Sequence, residues 1–120
     1  MNAEDYRKLI VKKPHGFDGE AFIRRTLTKM QVPFEEQVKY APDRKYRADF
    51  MLIGEERQIL IEYNGGTWIK SGHSSGTGLN RDAEKLNCAT ANGFAYLVLT
   101  ADLLKRSGYL EALIESVRCR

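Results

Sequence analysis

Two apolar runs of strand length, Tyr46–Ile53 and Gln58–Tyr63, are separated by the turn Gly54-Glu55-Glu56 and by Arg57, and each carries one acid, Asp49 and Glu62. So short a connection predicts an antiparallel hairpin. Such a hairpin can set the two carboxylates on one face, a few ångströms apart. Carboxylates that close repel each other unless they share a proton or a divalent cation. A hard cation such as Mg²⁺ takes oxygen ligands, and often needs only one or two carboxylates besides water and substrate phosphates. The plainer alternative pairs Asp49 with Arg47 or Lys45 and leaves Glu62 as an edge carboxylate in water.

The flanking sequence predicts what covers this hairpin. A helix is expected from about Asp18 to Gln31, with Asp18 as its cap and Ile23, Leu27 and Met30 at helical spacing. Pro33 stops it, because the residue before proline avoids the α region. Phe34–Tyr40 reads as a strand preceding the hairpin across the turn Ala41-Pro42-Asp43, which makes a three-strand meander. The stretch Asn64–Asn80 holds five glycines in 17 residues and reads as a functional or mobile loop. A helix over Arg81–Asn92 should follow, with Ala83, Leu86 and Thr90 on one face and Gly93 as its stop. Phe94–Leu99 suits a strand covered on both faces. Thr100 caps a short helix, Ala101–Arg106, which Ser107-Gly108 breaks. Leu110, Leu113, Ile114 and Val117 stripe a final helix. This order predicts an α/β/α sandwich on a central mixed β-sheet.

Composition narrows the classes. At 120 residues the chain is one domain's worth, residues 1–120, and no repeat or linker divides it. Hydrophobic residues at 42% and charged residues at 29% are globular values and exclude a disordered chain. No apolar run approaches the roughly 20 residues of a membrane span, and the N-terminal MNAEDYRKLI has no signal-peptide core, so no membrane partner is expected. Cys88 and Cys119 lack metal-ligand spacing, which points to a reduced, cytoplasmic setting. A net charge of +3 permits a nucleic-acid partner without requiring one.

Four blocks occur in order: Arg47-Ala48-Asp49-Phe50, Ile61-Glu62-Tyr63-Asn64-Gly65-Gly66-Thr67-Trp68, Gly72-His73-Ser74-Ser75-Gly76-Thr77-Gly78, and Arg81-Asp82-Ala83-Glu84-Lys85-Leu86-Asn87. Together they resemble the small phage and bacterial endonucleases of the PD-(D/E)XK nuclease superfamily, on the branch near the very-short-patch-repair endonucleases. In that group an R-F-D-F strand precedes I-E-V-E-G-G-x-W, a G-R-H-x-R-G-x-G loop and a D-x-E-K-x-N helix. The resemblance spans roughly Glu20 to Leu104. It implies a restriction-endonuclease-like fold, cytoplasmic in a bacterial or phage-infected cell, and Mg²⁺- or Mn²⁺-dependent hydrolysis of DNA, on junctions or mismatches in some relatives. Junction cutting would call for a homodimer. A catalytically weakened DNA-binding module on the same fold is the alternative.

The resemblance assigns Asp49 and Glu62 as metal ligands and makes Glu20 a third acid, although a first-turn Glu also complements a helix dipole. Asn64 stands where the superfamily has lysine and can offer a metal only a carbonyl oxygen. Lys85 is the candidate replacement, or else a surface lysine paired with Asp82. His73 reads as a general base, a phosphate contact or a solvated side chain. Trp68 reads as a core plug or a stacking platform, and Asn87 as a structural tie. Arg44, Lys45, Arg47, Lys70, His73 and Arg81 are the candidate DNA contacts. The loop arginines of the relatives are replaced by Gly72 and Ser75, and those of the last strand by Ala95 and Val98, so fewer phosphate contacts are expected.

Overall fold

A computed structural model describes residues 16–65 and 76–118. Helix α1 (Gly19–Lys29) precedes strands β1 (Phe34–Lys39), β2 (Arg47–Ile53) and β3 (Gln58–Asn64). Helix α2 (Gly76–Ala91), strand β4 (Ala95–Thr100), and helices α3 (Ala101–Leu104) and α4 (Tyr109–Arg118) complete it. The strands form one sheet in the order β1-β2-β3-β4. The first two pairings are antiparallel and β3 pairs with β4 in parallel, so the sheet is mixed as expected.

Local chemistry fixes the element ends. Asp18 Oδ1 accepts from Ala21 N–H at 3.1 Å and caps α1. That helix closes with Gln31 left-handed at φ 59, its N–H on Thr28 O and the N–H of Val32 on Leu27 O. Helix α2 closes the same way: Gly93 at φ 83 donates to Thr90 O, and Phe94 N–H to Ala89 O. In both ends the residue after the left-handed one packs in the same apolar cluster as the helix residue it bonds. Thr100 Oγ1 accepts from Leu103 N–H at 3.2 Å and starts α3.

Helices flank the sheet on both faces. On one, Ile23 and Leu27 of α1, Leu104 of α3, and Leu110 and Ile114 of α4 bury Phe50, Leu52, Ile59, Ile61, Ala95 and Leu99. On the other, Ala89 of α2 packs with Tyr40, Ala41, Ala48, Met51 and Leu60. Alternation along β2 and β3 separates the sets, Phe50 and Leu52 against Met51, and Ile59 and Ile61 against Leu60. It fails once. Ala48 lies with Met51 rather than with Phe50, so the side chains change faces at Asp49. Opposite that break, between the pairs Glu36–Phe50 and Val38–Ala48, Gln37 takes a left-handed φ of 53. For a non-glycine residue that conformation costs roughly 1–2 kcal/mol.

Helix α2 departs from expectation in two ways. It begins at Gly76 rather than Arg81, which leaves a shorter connection after β3 than the Asn64–Asn80 loop predicted. Glycine lowers helix propensity by about 1 kcal/mol, but once a helix is nucleated each further residue adds a backbone bond. Its buried face is also different. Ala83, Leu86 and Thr90 are exposed, Leu86 at 45%, while Ala89 is buried and Lys85 and Cys88 are half-buried. Apolar periodicity selected the wrong stripe because the lysine stem can itself cover apolar surface. Trp68, Lys70 and His73 lie outside the described residues.

The two faces of the hairpin and of α2 can be checked by urea denaturation. Phe50→Ala, in a fully buried site, should lower stability by about 3–5 kcal/mol. Leu86→Ala should change it by about 0.5 kcal/mol or less. A large loss at Leu86 would mean that this stripe faces the sheet after all.

Candidate active site

Asp49 and Glu62 sit where β2 and β3 part. The β2–β3 pairing ends at Phe50 opposite Ile61, and continuing its register places Asp49 across from Glu62. Instead of a backbone carbonyl, the side chain of Asp49 receives the next N–H of β3: Tyr63 N–H donates to Asp49 Oδ2 at 2.7 Å. A bond of this kind to a charged acceptor contributes about 1.5–3 kcal/mol. Gln37 Nε2 donates to the other oxygen, Oδ1, at 3.4 Å. Asp49 is therefore held by the two neighbouring strands and not by Arg47 or Lys45.

Tyr63 also brings up the first helix. Its ring lies against Gly19, where a Cβ would overlap it, so the start of α1 rests directly on the end of β3. Glu20 follows Gly19. Burial pushes the Glu20 carboxyl above its ordinary range, and the charges of Asp49 and Asp18 push it further, against the pull of Arg24. One helical turn on, Arg24 forks onto Glu36 of β1, Nη2 to Oε1 at 2.7 Å and Nε to Oε2 at 2.9 Å, and ties α1 to the sheet edge.

Glu62 has different company. Lys85 Nζ lies 3.5 Å from Glu62 Oε1, with only 18% and 22% of the two side chains exposed. The Tyr96 hydroxyl donates to Oε2 at 3.5 Å. Burial raises the Glu62 carboxyl above its ordinary range; Lys85 opposes this and Asp49 adds to it. Burial and the Glu62 charge push the Tyr96 phenol up, so it remains a donor. Two other tyrosines set the position of α2, and hence of Lys85. Tyr40 OH donates to Lys85 O at 3.4 Å and Tyr46 OH to Glu84 Oε2 at 2.9 Å. Tyr40 packs against Tyr46, Phe94 and Tyr96 with ring centroids 6.0–6.4 Å apart, and burial pushes its phenol up to about 12.

A cleft of about 450 Å³ opens beside Glu62, with Asn64, Lys85 and Tyr96 in its wall. Asn64 is thus next to the carboxylate, at the end of β3 opposite Thr100. Among the described residues no three His, Cys, Asp or Glu side chains form a group able to hold a metal ion. Glu20 meets the field of Asp49 rather than completing such a set with Glu62. Two carboxylates with oxygen ligands from solvent and phosphate still fit the habits of Mg²⁺.

Four of the candidate DNA contacts, Arg44, Lys45, Arg47 and Arg81, fall among the described residues. Arg44 lines a separate cleft of about 410 Å³ with Tyr46, Glu84, Asn87 and Cys88, distinct from that of Glu62. Lys45, Arg47 and Arg81 are exposed. Sequence reading missed Gln37, Arg24 and Tyr96. Their partners lie 12 to 34 residues away, and no local spacing signals them. No described helix is long and apolar enough to cross a membrane.

The raised Glu62 carboxyl has a thermodynamic consequence. The unfolded chain releases this proton near the ordinary value of 4.5, whereas the folded protein keeps it to higher pH. Within that window the folded state binds more protons, so stability falls as pH rises. Thermal midpoints measured in EDTA from pH 4 to 7 should show a smaller decline for Glu62→Gln than for the parent. Identical profiles would show that Glu62 is not desolvated.

No known protein family, curated protein or solved structure matches the chain.

Proposed function

We propose that this chain is a divalent-metal-dependent endodeoxyribonuclease of the PD-(D/E)XK type, acting on DNA phosphodiester bonds. One observation carries the reading. Asp49 and Glu62 stand side by side at the parting of two strands, and a lysine from a distant helix reaches the second acid. The ion would be Mg²⁺ or Mn²⁺, held by Asp49 and Glu62 with the Asn64 carbonyl oxygen available beside them. When bound, such an ion polarises the phosphoryl oxygen and acidifies the attacking water. The chain's own residues supply the rest. Tyr63 N–H fixes the Asp49 carboxylate, so the ligand does not have to be ordered when the ion arrives. The Lys85 ammonium, placed 3.5 Å from Glu62 on a helix whose backbone at Lys85 accepts from the Tyr40 hydroxyl, offers positive charge to the negative charge that develops on phosphate during attack. The Tyr96 phenol, which stays protonated, keeps Glu62 oriented toward the cleft.

A second reading, a DNA-binding module with weakened catalysis, draws on Asn64. An amide there carries no charge, and Lys85 already neutralises Glu62 at 3.5 Å.

Plasmid nicking across metals separates the two. The nuclease cuts with Mg²⁺ or Mn²⁺ and stops in excess EDTA, and Asp49→Ala and Glu62→Ala each abolish cutting while remaining folded. Near-parental rates in either variant would place the site elsewhere. A module binds DNA but cuts with no metal. Lys85→Ala should lower the cutting rate by about two to three orders of magnitude, more than it lowers DNA affinity. Asn64→Lys in that background should restore part of the rate. An unchanged rate in Lys85→Ala would reduce the lysine to a counter-ion of Glu62.

A further inference from the structure

Gln37 is a non-glycine residue in the left-handed region in the middle of a strand, φ 53, with an exposed side chain. Glycine or asparagine suits that backbone better. Burial does not explain the glutamine, because its side chain is exposed. What it does reach is Asp49, from across the β1–β2 ladder at the point where β2 changes faces. An ionised carboxylate only accepts hydrogen bonds, so the amide must present its NH₂ group to Oδ1. At 3.4 Å the bond is long and contributes direction more than strength.

We propose that Gln37 is a positioning residue for Asp49: its left-handed backbone aims the amide at Oδ1 while Tyr63 N–H holds Oδ2, and the two donors together fix the carboxylate plane and the lone pairs left for a divalent cation. This rests on the reading of Asp49 as a metal ligand. Gln37 acts through Asp49 and touches neither cation nor phosphate. Such outer contacts orient ligands and tune affinity in metal sites generally. The strained backbone follows from the same requirement. From an ordinary strand conformation, successive side chains of β1 would leave by alternate faces, whereas Asp49 sits at the crossing between them.

The test separates backbone from side chain. Gln37→Gly removes both the strain and the amide, and Gln37→Met keeps the length and the strain but has no donor. Mn²⁺ binding is measured by titration calorimetry on the full chain, thermal unfolding in EDTA, and plasmid nicking alongside. The expected result is Mn²⁺ affinity about tenfold weaker in both variants, with Gln37→Gly unfolding at or above the parental temperature. Parental Mn²⁺ affinity in both variants overturns the proposal and leaves the nuclease reading intact. A Gln37→Gly variant that loses stability along with affinity also overturns it, since Gln37 would then be holding the strand rather than the ligand. A parent chain that takes up no Mn²⁺ and nicks no DNA removes the metal reading itself, a result distinct from either of these.

Discussion

The register of β2 against β3 is the constraint on which the rest of the structure depends. Phe50 faces Ile61, Met51 faces Leu60 and Leu52 faces Ile59, and all six are buried. A slip of one residue would move every one of these side chains to the other face. Because both faces of this pair are apolar, both need cover. The crossover from β3 to the parallel β4 carries α2 over one face, while α1, α3 and α4 close the other. The same register brings the two acids level at the end of the paired segment. The ladder gives way there, and the Asp49 carboxylate takes the N–H that a backbone carbonyl would otherwise receive.

Electrostatic stress collects at that break. Glu62 and Glu20 are both shifted toward the protonated form, each mainly by burial, and Asp49 adds to both shifts. A fold gains nothing from like charges held together in a partly dry place, and positive groups offset them only in part. Lys85 meets Glu62 on one side of the sheet and Arg24 pulls on Glu20 on the other. Of the two, Glu62 also lines a cleft, and perturbed acids in clefts are enriched at functional sites. On the proposed reading, a divalent cation between Asp49 and Glu62 would relieve this repulsion.

Rigid packing surrounds these groups. Tyr40, Tyr46, Phe94 and Tyr96 form one aromatic cluster beneath α2, and two of their hydroxyls bond the helix at Glu84 and Lys85. Gly19 lets the Tyr63 ring seat against the start of α1, which brings Glu20 toward Asp49. The acids thus hang on packed elements rather than on a loop, and geometry held this way needs little reorganisation when a ligand arrives.

The sequence by itself determined the parts whose signals are local. The caps Asp18 and Thr100, the stop at Gly93, the three-strand meander and the apolar stripes of α1 and α4 all follow from neighbouring residues, and the structure contains them. Asp49 and Glu62 were legible as a pair because one short hairpin joins them. Tertiary structure decided what depends on distant partners. Helix α2 presents Lys85 rather than Leu86 to the sheet because Tyr40 and Tyr46, far back in the chain, hold its backbone and Glu84. Apolar periodicity pointed to the Ala83, Leu86 and Thr90 stripe, because it takes no account of those distant hydroxyls. Gln37 turned left-handed opposite Asp49, and Tyr96 set beside Glu62, have no counterpart in local spacing, since each exists only once the strands are side by side.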